Sequence, residues 1–467
     1  MSYLSPEFAV FFLAFLMLYW ALVKWGQAQK LLLLAASYGL YGGLDLRFGL
    51  TLGVYSLCIL ILFAATSRWP QWRRVFTGFG IVASVINLAF FKYFDFFRES
   101  VQTGANALGL NWALPAVDIL MPIGISFYTF QSIAYLVAVG RGEREPASPL
   151  DSLLYLAFFP TLLAGPICRP SVLLTQIESA EKRQLSNPDL AIFLLLSALV
   201  KKVWLASWVA EAWVKPLFAN SGAYQGPELL VGMYAYAVQI YLDFSGYSDL
   251  VIGLAMLLGY QLPDNFNFPY LARNLREFWQ RWHISLSTWI RDYVYIPMGG
   301  NRHGWLITQG TLLSAMLISG LWHGASLKFI IWGALHGFGV IALNVYKKVG
   351  GKPFSGAFPS FVSGFITFNF VCIAWVFFRA DGWQEAVNYI AGFARLDGPL
   401  QLNVLSGFTM LALFFVATWF SERFSRKSLD VLQRTPLLLK PFLLAAVVLA
   451  VSLLGPSGVP AFLYYSY

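Results

Sequence analysis

The chain has 467 residues, 58% of them hydrophobic and 12% charged, with a formal net charge of +9 and a mean hydropathy of +0.63. A soluble domain carries about 25% charged residues, so this composition excludes an ordinary water-soluble chain. The apolar runs do not alternate in polarity, which excludes a transmembrane β-barrel, and Lys and Arg sit mainly between those runs rather than along a basic stripe, which sets nucleic-acid binding aside.

Runs long enough for a bilayer crossing, about 20 mostly apolar residues, recur along the whole sequence. The candidate spans are 8–24, 30–44, 48–66, 75–94, 117–139, 150–166, 189–214, 226–258, 309–321, 328–346, 359–378, 404–421 and 439–455. They predict an all-α polytopic membrane protein of about 11–13 transmembrane or re-entrant helices, forming a single integral-membrane domain over residues 1–467. The first run has no basic residues before it and no small-residue cleavage pattern after it, so it reads as a retained membrane helix. Lys24 and Lys30, then Arg68, Arg73 and Arg74, then Arg141 and Arg144 fall on one side if the N-terminus lies outside the cytoplasm. Cys58, Cys168 and Cys372 show no paired spacing and read as buried small hydrophobes.

Two runs carry helix breakers. MPIGISFYTFQSIAYL contains Pro122 and Gly124, and FFPTLLAGPICRP contains Pro160, Gly165, Pro166 and Pro170. Each proline removes a backbone donor. These segments are expected either as kinked or surface connections or as broken segments near a cavity, where non-helical backbone is tolerated at membrane depth.

Ionisable residues inside a membrane domain are functional candidates. Lys201 and Lys202 are expected to mark a break between a spanning and an interfacial helix, with both side chains reaching to headgroups. In YLDFSGYSDL, Asp243 and Tyr247 lie one helical turn apart, as do Ser245 and Asp249. They could line a polar cavity, pair with the arginines of the following segment, or brace the fold. From Asn274 to Tyr295 the chain can form one or two amphipathic helices, with Trp279, Trp282, Leu286 and Trp289 at helical spacing and Arg276, Arg281 and Arg291 among them.

The four histidines are His283, His303, His323 and His336. His283 and Ser287 are i,i+4 neighbours, but no GxSxG surrounds the serine, so a Ser–His hydrolase is not supported. There is no HExxH, and no metal site is expected. Histidine is the usual general base near neutral pH. Spacing alone leaves His283 and His323 level as candidates.

The blocks MPIGISFYTFQSIAYL, LLAGPICRP, YLDFSGYSDLVIGLAMLLGY, LPDNFNFPY, EFWQRWHISLSTWIRDYVYIPMGGNR, SGLWHG and WVFFRA run in this order from about 121 to 379. Together they resemble the membrane-bound O-acyltransferase superfamily, in the bacterial branch that O-acetylates alginate and cellulose. One departure is Ala138-Val139-Gly140-Arg141-Gly142, where relatives commonly read D-V-Y-R-G. The resemblance implies a helical bundle around a central tunnel. It assigns His323 the catalytic role and His283 a supporting one. It implies acetyl-CoA as donor, no bound cofactor, and transfer of acetyl groups across the bacterial inner membrane to an exopolysaccharide. The implied partners are periplasmic acetyltransferases, a polysaccharide synthase complex and membrane lipid. Arg276, Arg281, Arg291, Asp243, Tyr247 and Ser287 are the candidates for holding donor or substrate, since Arg pairs well with phosphate. The alternatives are a transporter or flippase, which the broken helices favour, and a scaffold without chemistry.

Overall fold

The computed structural model describes residues 3–110, 120–351 and 356–456, and every regular element among them is helical. Positions 117–119 of the expected fifth span lie outside the described residues. Eight helices among those described are long and apolar enough to cross a membrane, and three apolar helices are shorter. The protein is a multi-pass membrane protein. The chain forms two compact units, one of Met1–Pro188 with Leu254–Pro263, the other of Asp189–Gly253 with Asp264–Tyr467.

The first unit contains α1 (Pro6–Ala21), α2 (Gly26–Gly42), α3 (Leu46–Arg68), α4 (Arg73–Ala107), α5 (Ile125–Gly140), α6 (Pro149–Ala157), α7 (Phe159–Leu162) and α8 (Thr175–Glu178). The helix breakers act as breaks. The helix α5 starts only after Gly124, whose φ is +81°, and a Cβ there would lie 2.1 Å from the Leu162 carbonyl oxygen. No other residue type fits such a left-handed, crowded position without strain. The run 150–166 divides into α6, one turn of α7 and non-helical backbone. That backbone is buried, and hydroxyls satisfy it. Phe159 N–H donates to Ser37 Oγ at 3.2 Å, and Tyr155 Oη donates to the Cys168 carbonyl at 2.7 Å. The second break is thus irregular backbone buried in protein, the setting in which it is tolerated at membrane depth. Cys168 and Cys372 are buried, but Cys58 is exposed, which corrects its expected burial. It sits on a face of α3 that no neighbouring helix covers among the described residues.

The second unit contains α9 (Pro188–Ala198), α10 (Ser207–Val209), α11 (Lys215–Ala219), α12 (Gly226–Leu257, whose last turn falls in the first unit), α13 (Leu275–Arg281), α14 (Ile284–Ile290), α15 (Trp305–His323), α16 (Leu327–Lys348), α17 (Ala357–Arg379), α18 (Trp383–Ala391), α19 (Val404–Arg434) and α20 (Lys440–Leu454). Helical structure is continuous from Pro188 to Ala219 because π-helical turns join α9, α10 and α11. The expected break at Lys201 and Lys202 is therefore absent, and neither lysine reaches for headgroups. Lys201 Nζ bonds Asp249 at 2.7 Å, and Lys202, 1% exposed, pairs with Asp243. Two carboxylates on α12 hold the ammonium groups inward, and Gly246 between them lets the lysine backbone come close. In the most apolar window of α12, 83% of the residues are buried. A helix apolar on every side belongs inside a bundle.

Candidate functional site

The helices α15 and α16 form a tight hairpin. A Cβ on Gly320 would lie 2.2 Å from the Phe329 carbonyl oxygen, and one on Gly333 would lie 2.5 Å from that of Met316. Small residues at both crossings let the backbones touch. The hairpin sets His323, the last residue of α15, beside Trp332 and His336, which are i,i+4 neighbours on one face of α16. The sequence reading started the corresponding span at 309; α15 begins at Trp305 instead. The polar Gln309 is accommodated because its amide donates to the Trp305 carbonyl and accepts from Asn344.

Of the one or two helices expected between Asn274 and Tyr295, the chain forms two short ones, followed by a π-helical turn. His283 is the break, with φ +41° and ψ +56°. It and Phe268 are the two non-glycine residues with positive φ among those described. Such backbone costs about 1–3 kcal/mol and gathers at functional sites. The segments carrying them are bonded to each other: Asn267 N–H donates to the Arg281 carbonyl at 2.9 Å, and Ile284 N–H to that of Asn265 at 3.0 Å.

His283, His323 and His336 are 1%, 5% and 0% exposed, so all three are interior groups. A row of rings connects them. Trp322 lies 6.2 Å from His283 and 4.7 Å from His323 between ring centroids; Trp332 lies 5.0 Å from His323 and 4.9 Å from His336. Phe378 packs edge-on against His323, and Trp279 against His336. Among the described residues, His283 Nε2 and both ring nitrogens of His336 are buried without a hydrogen-bond partner. Buried polar atoms of this kind call for an explanation, and a reactant group entering the interior is one. His303 is exposed and stands apart from the row.

The remaining candidates are engaged locally. Ser287 Oγ donates to the Trp282 carbonyl at 3.1 Å, away from the His283 ring. Arg276 is exposed and donates to Asn344 at 2.8 Å. Arg281 pairs with Glu277 at 2.7 Å, and Arg291 with Asp292 at 2.7 Å. The Asp292 carboxylate moves the Arg291 guanidinium further above its ordinary range by hydrogen bonding. Asp243 is paired with Lys202 from the preceding helix. Tyr247 is buried one turn further along α12. No group of three or more metal-ligating side chains gathers among the described residues.

A set of membrane-length helices holding three buried histidines along one aromatic row defines a membrane-embedded protein with ionisable side chains in its interior. The chain belongs to the membrane-bound O-acyltransferase family, whose family model matches residues 120–380 and so includes all three histidines. The protein named Probable alginate O-acetylase AlgI of Pseudomonas syringae pv. tomato is 36% identical over 393 residues, which cover 82% of this chain and 73% of that one. The peptidoglycan O-acetyltransferase of Helicobacter pylori is 36% identical, covering 70% and 66%. The teichoic acid D-alanyltransferase of Bacillus subtilis is 27% identical, covering 71% and 87%. This is an acyltransferase of the membrane.

Proposed function

We propose that the chain takes acetyl groups from cytoplasmic acetyl-CoA and passes them through the bacterial inner membrane for O-acetylation of an exopolysaccharide of the alginate or cellulose type. The observation that carries this reading is the burial of His323 in an aromatic setting next to Trp332 and one ring from His283. His323 acts as general base. It takes the proton of the accepting hydroxyl as that oxygen attacks the thioester carbonyl, then returns it to the departing thiolate of coenzyme A. The surrounding rings exclude water, so the acyl group goes to the hydroxyl and is not hydrolysed. His283 handles the acceptor. Arg276, Arg281 and Arg291 assist acidic parts of the donor. The relatives named for alginate and peptidoglycan O-acetylation support a polymer acceptor outside the cytoplasm. Periplasmic acetyltransferases and a polysaccharide synthase complex are the natural partners. His323→Ala is expected to abolish polymer acetylation with the protein still present in the membrane. Normal acetylation in that variant would sink the assignment, and failure of the purified protein to consume acetyl-CoA thioester would sink the donor.

A further inference from the structure

His283 is held by Asn265, a residue 1% exposed in the loop that follows α12. Three groups meet the Asn265 Oδ1 atom: Ser285 N–H at 3.2 Å, Ser285 Oγ at 2.8 Å and His283 Nδ1 at 3.1 Å. A backbone N–H can only donate. The amide atom it meets is therefore the oxygen, because a turned amide would set its NH2 against that N–H. At the other end of the amide, Nδ2 donates to Ser248 Oγ at 3.4 Å. An amide oxygen can only accept, so His283 Nδ1 carries a hydrogen. In the neutral ring the lone pair then belongs to Nε2, which is buried and has no partner among the described residues.

We infer that Asn265 is a positioning residue that fixes the tautomer of His283, so that Nε2 accepts a hydrogen bond from a second hydroxyl of the acceptor, beside the one whose proton His323 takes. A neutral His283 held this way cannot donate through Nε2, so it orients the acceptor and does not stabilise the oxyanion. The hydroxyl part rests on the acyltransferase reading above; the tautomer does not.

The test uses the full chain with 15N-labelled histidine in detergent. Only four histidines are present, so each is assigned by its own His→Gln variant. In the unaltered protein at a pH where the ring is neutral, His283 is expected to show a protonated Nδ1 and a bare Nε2. Asn265→Leu is expected to lose that preference, and Asn265→Asp, which keeps an accepting oxygen, is expected to retain it. A protonated Nε2 and bare Nδ1 in the unaltered protein overturns the inference, whether or not Asn265→Leu folds. An unchanged tautomer in folded Asn265→Leu removes the role of Asn265. Acetyl-CoA thioester consumption supplies the second readout. Asn265→Leu is expected to lose roughly 10- to 100-fold, the range seen when a histidine's orienting partner is removed at metal sites. Asn265→Asp should restore turnover, with its acid limb moved to higher pH because a carboxylate favours imidazolium. Undiminished turnover in Asn265→Leu overturns the hydroxyl role alone. Absence of turnover in the unaltered protein overturns the acetyl-CoA reading and leaves the tautomer result standing.

Discussion

At the scale of single residues, the interior polar groups divide into those that are paired and those whose atoms have no partner among the described residues. Lys202 and Asp243 are paired. Both are almost wholly buried and they meet directly, so removing one partner strands a charge away from water. Lys202→Ala or Asp243→Ala is expected to cost about 3–5 kcal/mol, while the double change to Met and Leu is expected to recover most of it. A double-mutant cycle on unfolding in detergent measures this, and additive losses would show that the two groups do not depend on each other. His336 behaves oppositely. Its ring nitrogens have no partner among the described residues, and Phe278 and Phe370 rings lie near it. Replacing an unsatisfied polar group by an apolar one of similar shape is near neutral or stabilising. His336→Phe is therefore expected to leave the apparent Tm unchanged or raised, and a large drop would reveal a bonded partner for the imidazole.

At the scale of elements, the hairpin of α15 and α16 does most to shape the candidate site, because it sets His323 against Trp332. Its two glycine crossings admit no side chain without moving backbone. Gly333→Val is expected to part the helices near their middle, lowering thioester turnover together with stability; Gly310→Ala, at a helix position with nothing within 4 Å, is the control expected to change neither. Much of this level could be read from residue order. The apolar runs mark most helices to within a few positions, and Pro160 and Gly124 mark the breaks, since a missing donor or a left-handed φ is a local property. What could not be read is pairing between elements. Lys201 and Lys202 look stranded in an apolar run until α12, some forty residues on, offers two carboxylates. The hold of Asn265 on His283 joins residues 18 apart across irregular backbone, where no helical or strand period connects them. His283 itself sits at the break between α13 and α14, a position that the Trp spacing does not mark.

At the scale of the whole molecule, the reading of donor inside and polymer outside depends on which way the chain enters the membrane. The positive-inside rule predicts Lys24, Lys30, Arg68, Arg73 and Arg74 in the cytoplasm and the N-terminus outside it. The rule weighs short connections close to helix ends most heavily, and these are short: α1 and α2 are separated by residues 22–25, and α2 and α3 by residues 43–45. The second connection leads directly into Arg47, whose guanidinium is paired with Asp45 at 2.8 Å. Its charge is locally balanced and gives little bias of its own. The third connection has no such balance at Arg68 and Arg74. Two exposed positions therefore separate the orientations, Arg47 at the start of α3 and Gln71 just beyond its end. With the three native cysteines replaced by Ala, Arg47→Cys is expected to react with a membrane-impermeant maleimide in intact spheroplasts, whereas Gln71→Cys is expected to react only after permeabilisation. The opposite pattern would put the N-terminus in the cytoplasm. Labelling at both sites without permeabilisation would mean that α3 does not cross, despite its 23 apolar-rich residues.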